Sequence, residues 1–101
     1  MAYNYYFAIA TQNFFLNEEP IEEILRERQS YYKSLNKEID FWFTLNNDMI
    51  HSYCGQSVNL IKTQEYGAII SFDEDFIQWF KLRVSFVAIG YFESNSILCL
   101  T

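Results

Sequence analysis

Strand-like and helix-like stretches alternate along this chain in the order strand, helix, strand, excursion, strand, helix, strand. That order predicts an α+β domain of ferredoxin-like, two-layer form, a four-stranded antiparallel sheet with helices packed on one face. Two stretches carry the prediction. In YNYYFAIAT, residues 3–11, Tyr5, Phe7 and Ile9 fall on one side and Tyr6, Ala8 and Ala10 on the other. Both sides are apolar enough for an interior strand. In SFDEDFIQWFKLRVSFVAIG, residues 71–90, a spacing of about 100° per residue puts Phe76, Ile77, Phe80, Val84 and Val87 on one wide helical face. Trp79, Leu82 and Phe86 make a second apolar strip beside it, and Arg83 falls between the two. A core helix needs one apolar face, so the second strip awaits cover from this chain or from another protein.

The remaining elements follow from local signals. Residues 18–35 read as the first helix, with Asn17 as its cap, Pro20 in its first turn, and Ile21, Ile24, Leu25, Tyr32 and Leu35 as its apolar stripe. In IDFWFTL, residues 39–45, Ile39, Phe41 and Phe43 alternate with Asp40, Trp42 and Thr44, a strand with one buried face whose other face sets an acid beside a tryptophan. Residues 46–64 are long for a bare connection. Their apolar residues, Met49, Ile50, Tyr53, Val58, Leu60 and Ile61, suggest one or two helical turns packed onto the body. EYGAIIS, residues 65–71, is the third strand and IGYFE, residues 89–93, the fourth. Ser71 with Glu74 forms a capping-box pattern, and Asp73, Glu74 and Asp75 place negative charge at the start of the long helix.

Composition narrows the function classes. The 101 residues form one domain, with 94–101 as a short tail, and half of them are hydrophobic, enough for a core at this size. The net charge is −6, and only seven basic residues are scattered along the chain, which argues against nucleic acid as a partner. Cys54 and Cys99 lie far apart without a CxxC pattern and read as small buried residues in a reducing compartment rather than as a disulfide. No apolar run reaches membrane-spanning length, and no signal or transit peptide precedes the first strand. The chain is expected to work in the compartment where it is made, unless a targeting segment lies outside this sequence.

Catalytic signatures are absent. His51 is the one histidine, and it reads as a loop or surface residue; no Glu-x-x-His pair, phosphate-cradling glycine loop or nucleophile elbow accompanies it. No cofactor is expected. Arg26-Glu27-Arg28 reads as a solvated helix face. Asp40 and Arg83 are each a charge set among aromatics, consistent either with local hydrogen bonding or with an interface, where Arg and aromatic residues are common anchors. A small enzyme or ligand-binding domain with Asp40, Arg83 and His51 lining a pocket is the competing reading.

EEPIEEILRER at 18–28, KEIDFW at 37–42, AIIS at 68–71 and FIQWFKLR at 76–83 together resemble the small accessory protein of the aerobic magnesium-protoporphyrin IX monomethyl ester cyclase. This is the hypothetical chloroplast open reading frame fifty-four family, and the resemblance runs from the first strand to about Glu93. It implies a non-catalytic assembly or stability factor in chlorophyll biosynthesis, bound to the membrane-associated di-iron oxygenase subunit. It also implies a plastid stroma location at the thylakoid, or the cytoplasm in a cyanobacterium. The pattern residues fall on Asp40, Phe41 and Arg83; with Trp42, Trp79 and Leu82 they form the expected partner surface. Gln29-Ser30 and the Phe-Asp-Glu-Asp turn after AIIS depart from the family pattern.

Overall fold

The first strand has to be covered on both faces, and the architecture follows from that. A computed structural model describes residues 3–18, 21–55, 58–61, 63–84 and 87–94. The strands are β1 (Tyr3–Thr11), β2 (Phe41–Thr44), β3 (Tyr66–Ser71) and β4 (Ala88–Ser94), and the α-helices are α1 (Ile21–Ser34), α2 (Asn47–Tyr53) and α3 (Glu74–Val84). The sheet order is β2-β3-β1-β4, with every neighbouring pair antiparallel. Tyr6 lies opposite Ser71 on β3 and opposite Tyr91 on β4, so β1 is held from both sides near its middle. This is the ferredoxin-like topology expected from the element order.

Strand alternation then sorts the core into two halves. Ala8, Phe41 and Ile69 face α1 and α3 and pack with Ile21, Ile24, Tyr32, Phe76, Ile77, Phe80 and Val84. Tyr5, Phe7, Ile9, Ala68, Ile70 and Phe92 face the other way and pack with Ile50 and Cys54 of the 46–64 excursion. The expectation of helices on one face alone is therefore corrected. The short helix foreseen in the excursion lies across the second face and gives the sheet a partial third layer. Asn46 caps α2 by accepting from the Met49 amide at 3.2 Å, and the Asn47 side chain accepts from the Tyr66 amide at 2.9 Å, tying the excursion to β3.

Three local expectations also change. The segment before α1 forms a π-helical turn, Phe14–Glu18, so Asn17 is not a cap; its amide instead bonds Asn13 at 2.8 Å. The turn drives Phe15 into the core, where its ring meets Phe43 edge-on at 5.7 Å. The cap of α3 is Asp73, whose Oδ1 accepts from the Asp75 and Phe76 amides, while the Ser71 hydroxyl accepts from the Asp73 amide at 2.9 Å. β2 is shorter than the 39–45 alternation suggested: Ile39 and Leu45 are exposed, because β3 offers partners only to Phe41–Thr44. The turn after α1 is closed by Asn36, in the left-handed region with φ 54°, with the Lys37 amide bonded back to the Tyr32 carbonyl at 3.0 Å.

Cys54 is buried and free, and burial pushes its thiol up to about 12. Cys99, Phe86 and the 95–101 tail lie outside the described residues. Gly67 explains how Phe15 fits: a Cβ there would stand 2.9 Å from the Phe15 ring and 3.1 Å from Leu45. Gly67→Ala is therefore expected to destabilise the domain by about 1–3 kcal/mol, measured as a fall in the denaturation midpoint with an unchanged m-value.

Candidate partner-binding surface

The network at one end of the helical layer begins with helical spacing. Arg28 lies three and four residues before Tyr31 and Tyr32 on α1. Its guanidinium carbon stands 5.4 and 5.0 Å from those two ring centroids, and 4.6 Å from the Phe76 ring on α3. One guanidinium nitrogen also meets an Asp73 carboxylate oxygen at 3.4 Å. Nε of Arg28 is buried with no hydrogen-bond partner among the described residues; aromatic faces surround the cation instead. Each such stack contributes about 0.5–1 kcal/mol where water still reaches it. Arg28 thus joins α1 to the cap of α3, and Arg26 and Glu27 alone fit the expected solvated face.

Tyr32 carries the network to β2. Its hydroxyl donates to Asp40 Oδ1 at 2.6 Å, and Lys37 Nζ approaches the other carboxylate oxygen at 3.7 Å. The Asp40 carbonyl accepts from the Phe72 amide at 3.2 Å, which fixes the residue at the mouth of the β2–β3 pairing. Asp40 is half-buried and already satisfied within the chain. Burial, and then the bond to Asp40, raise the Tyr32 pKa above its ordinary value. Phe41, the next residue, is buried against Tyr32 at 5.5 Å and Phe76 at 5.3 Å.

The other residues anticipated at a surface divide into two groups. Trp79 stacks on Phe76 at 6.1 Å and, with Leu82 and Arg83, is exposed on the outer side of α3. A row of rings therefore links Phe41 through Phe76 to Trp79. Arg83 has no ion-pair partner among the described residues and reaches solvent rather than the apolar arc. Trp42 lies across the sheet, half-buried against Phe72 at 5.4 Å, and does not join this group. His51 sits on α2 rather than in a loop, half-buried and edge-on to Tyr66 at 5.7 Å. Sequence reasoning missed Arg28, Tyr31, Tyr32 and Asp73. The spacing of Arg28 to the two tyrosines was the available signal for three of them.

Among the described residues, no three His, Cys, Asp or Glu side chains converge as a metal site, and no helix is long and apolar enough to cross a membrane. The fold and the surface define a small α+β domain that presents charge among exposed aromatic and aliphatic side chains at one end and along its helical layer. The chain belongs to the Ycf54 family, whose family model, Ycf54 protein, matches residues 3–94. It is 48% identical over 91 residues to the ycf54 protein of Porphyra purpurea, covering 90% of this chain and 84% of that one. It is 40% identical over 92 residues to the Ycf54-like protein of Synechocystis sp. PCC 6803, covering 91% and 69%. The solved Synechocystis Ycf54 structure superposes with a TM-score of 0.75 at 38% identity, covering 95% of this chain and 90% of that one. The All0216 protein of Nostoc sp. PCC 7120 gives 0.72 at 36%, covering 95% and 89%. Relatives thus come from plastid-type and cyanobacterial sources.

The raised Tyr32 pKa sets a pH dependence. A neutral phenol is favoured in the folded state, so its contribution is fully present below the unfolded value of 10.0 and is lost as pH rises through the higher folded value. Stability is expected to fall in that alkaline window, and Tyr32→Phe to remove this component, read from urea midpoints between neutral pH and the alkaline limb.

Proposed function

We propose that this protein is a non-catalytic accessory subunit of the aerobic magnesium-protoporphyrin IX monomethyl ester cyclase in chlorophyll biosynthesis. It binds and stabilises the di-iron oxygenase subunit that carries out the chemistry. Family membership across residues 3–94 carries this reading, together with the resemblance of KEIDFW and FIQWFKLR to the family. The placement of Trp79, Leu82 and Arg83 on the outer side of α3 supports it, since exposed Arg and aromatic residues serve as interface anchors. In this reading Asp40 and Phe41 act as a rigid corner beside that surface, and Trp42, across the sheet against Phe72, lies outside it. The protein sits in the plastid stroma at the thylakoid surface, or in the cytoplasm of a cyanobacterium, and reaches the membrane through its partner.

The test is a pull-down with the tagged protein from solubilised thylakoid membranes. The oxygenase is expected to co-purify, and loss of the protein to leave magnesium-protoporphyrin monomethyl ester accumulating while protochlorophyllide falls. Normal pigment intermediates in a deletion strain would refute the reading. Arg83→Ala is expected to keep its melting temperature and to lower affinity for the oxygenase roughly thirty-fold, the cost of truncating an interface arginine worth about 2 kcal/mol. A stable variant that recovers the oxygenase in full would move the interface elsewhere.

A further inference from the structure

In the sheet order β2-β3-β1-β4, the outer edge of β4 meets no further strand among the described residues. Such an edge offers N–H and C=O groups to any strand that can pair with it, and proteins blunt it with Lys, Pro, a bulge or short length. β4 uses none of these devices. It is seven residues long, AIGYFES, pairs with β1 along its whole length without a bulge, and holds one charge, Glu93. The opposite edge, β2, is only four residues long.

The flank of α3 beside this edge has an ordered charge pattern. Glu74, Gln78 and Lys81 are spaced by four and three, so they share one side of the helix. That side borders β4: Glu74 and Gln78 line a depression of about 220 Å³ together with Ile89, Gly90 and Tyr91. Lys81 lies at the start of the strand, where its Nζ donates to the Val87 carbonyl at 2.7 Å. Along the β4 edge the acid therefore stands toward the end of the strand, the amide at its middle and the cation at its beginning.

A half-turn about an axis through Gly90, perpendicular to the sheet, reverses this order. Lys81 then faces Glu74 and Glu93 of a second copy, Gln78 meets its own counterpart, and the same contacts recur on the other side of the axis. A two-fold interface needs a self-complementary surface, and acid, amide and cation read backwards are their own complement. The same register sets Ile89 opposite Tyr91 of the second copy on the helical face, and Ala88 opposite Phe92 of the second copy on the other. Ile89 is half-buried and Tyr91 is 61% exposed, and an aromatic side chain beside a β-branched one is a favourable cross-strand pair. A strand of an unrelated protein would use the backbone edge but not the reversed charge order.

We propose that β4 pairs antiparallel with β4 of a second copy, joining two domains into one continuous sheet with two-fold symmetry. The contact goes beyond the accessory role proposed above. It leaves Trp79 and Arg83, on the far flank of α3, accessible in both copies.

The experiment is sedimentation equilibrium of the full chain from micromolar to submillimolar concentration. The net charge of −6 on each copy opposes association at low salt, so the measurement is made near physiological ionic strength. The mass is expected to rise from 12.1 kDa toward twice that value. Amides of β4 should exchange with deuterium more slowly at high than at low concentration, while those of α2 keep their rates. Lys81→Glu sets acid against acid at both symmetric contacts, and Glu74→Lys sets cation against cation. Each is expected to raise the dimer Kd about tenfold. An equimolar mixture of the two variants should associate like the unaltered protein, because both contacts are then opposite in charge; a loss of fold is not rescued by mixing. The proposal is overturned by a monomer at every concentration, whichever segment takes the edge. It is overturned equally by a dimer whose β4 amides exchange at a concentration-independent rate, by a Kd indifferent to the two substitutions, or by a mixture no tighter than either variant alone.

Discussion

The two-sided burial of β1 is the constraint on which the structure depends. Tyr5, Phe7, Ala8 and Ile9 are all almost fully buried, so neither face of the central strand can be left to water. Helices α1 and α3 cover one face in the usual manner of this topology. The other is covered by a seven-residue helix and the segment after it, held by Asn46, Asn47 and the Tyr66 hydroxyl, which accepts from the Ile61 amide at 3.0 Å. The excursion that looked like an irregular insertion is therefore a structural layer. Burying the second face of β1 and β3 removes apolar area from water at roughly 25 cal/mol per Å², an amount a domain of this size cannot forgo.

A second consequence concerns polar groups. With apolar material on both faces, buried charge is confined to the ends of the sheet. Arg28, Asp73, Tyr32, Asp40 and Lys37 collect there, where α1 stops, β2 begins and α3 is capped. The network is rigid because each member is used twice. Tyr32 packs its ring in the core and donates its hydroxyl; Arg28 stacks on rings and pairs with a capping carboxylate. That rigidity separates a fixed corner at Asp40 and Phe41 from the exposed side chains of α3.

Sequence reasoning reached the alternation of β1 and the helical excursion because both rest on local periodicity, and the ferredoxin-like class because it follows from the order of the elements. It missed the π turn at Phe14–Glu18, because a single widened turn leaves no periodic trace, and Gly67 opposite Phe15 becomes meaningful only once the two segments meet. It chose Ser71 over Asp73 as the cap of α3 since both fit the residue preference and only backbone geometry separates them. At the surface, helical spacing correctly marked Trp79 and Leu82 as surplus to the core. It placed Arg83 inside an arc that α3 in fact turns to solvent. Trp42 illustrates the limit of adjacency: one step along a strand from Phe41 puts it on the far side of the sheet.

The strand order also bears on how the chain is made. β1 precedes the other strands of the sheet, yet its hydrogen-bonding neighbours are β3 and β4, and Tyr6 finds its β3 partner at Ser71, more than sixty positions later. Pairings at such separation close slowly, because the entropy of a long loop is lost before any contact is gained. While the ribosome is still extending the chain, β1 emerges as an apolar, aromatic segment with no sheet to join. Its edges stay open until the last strand appears. Until β4 pairs with it, the aromatic β1 segment is open to non-native association, and the yield of folded domain depends on what shields YNYYFAIA during that interval.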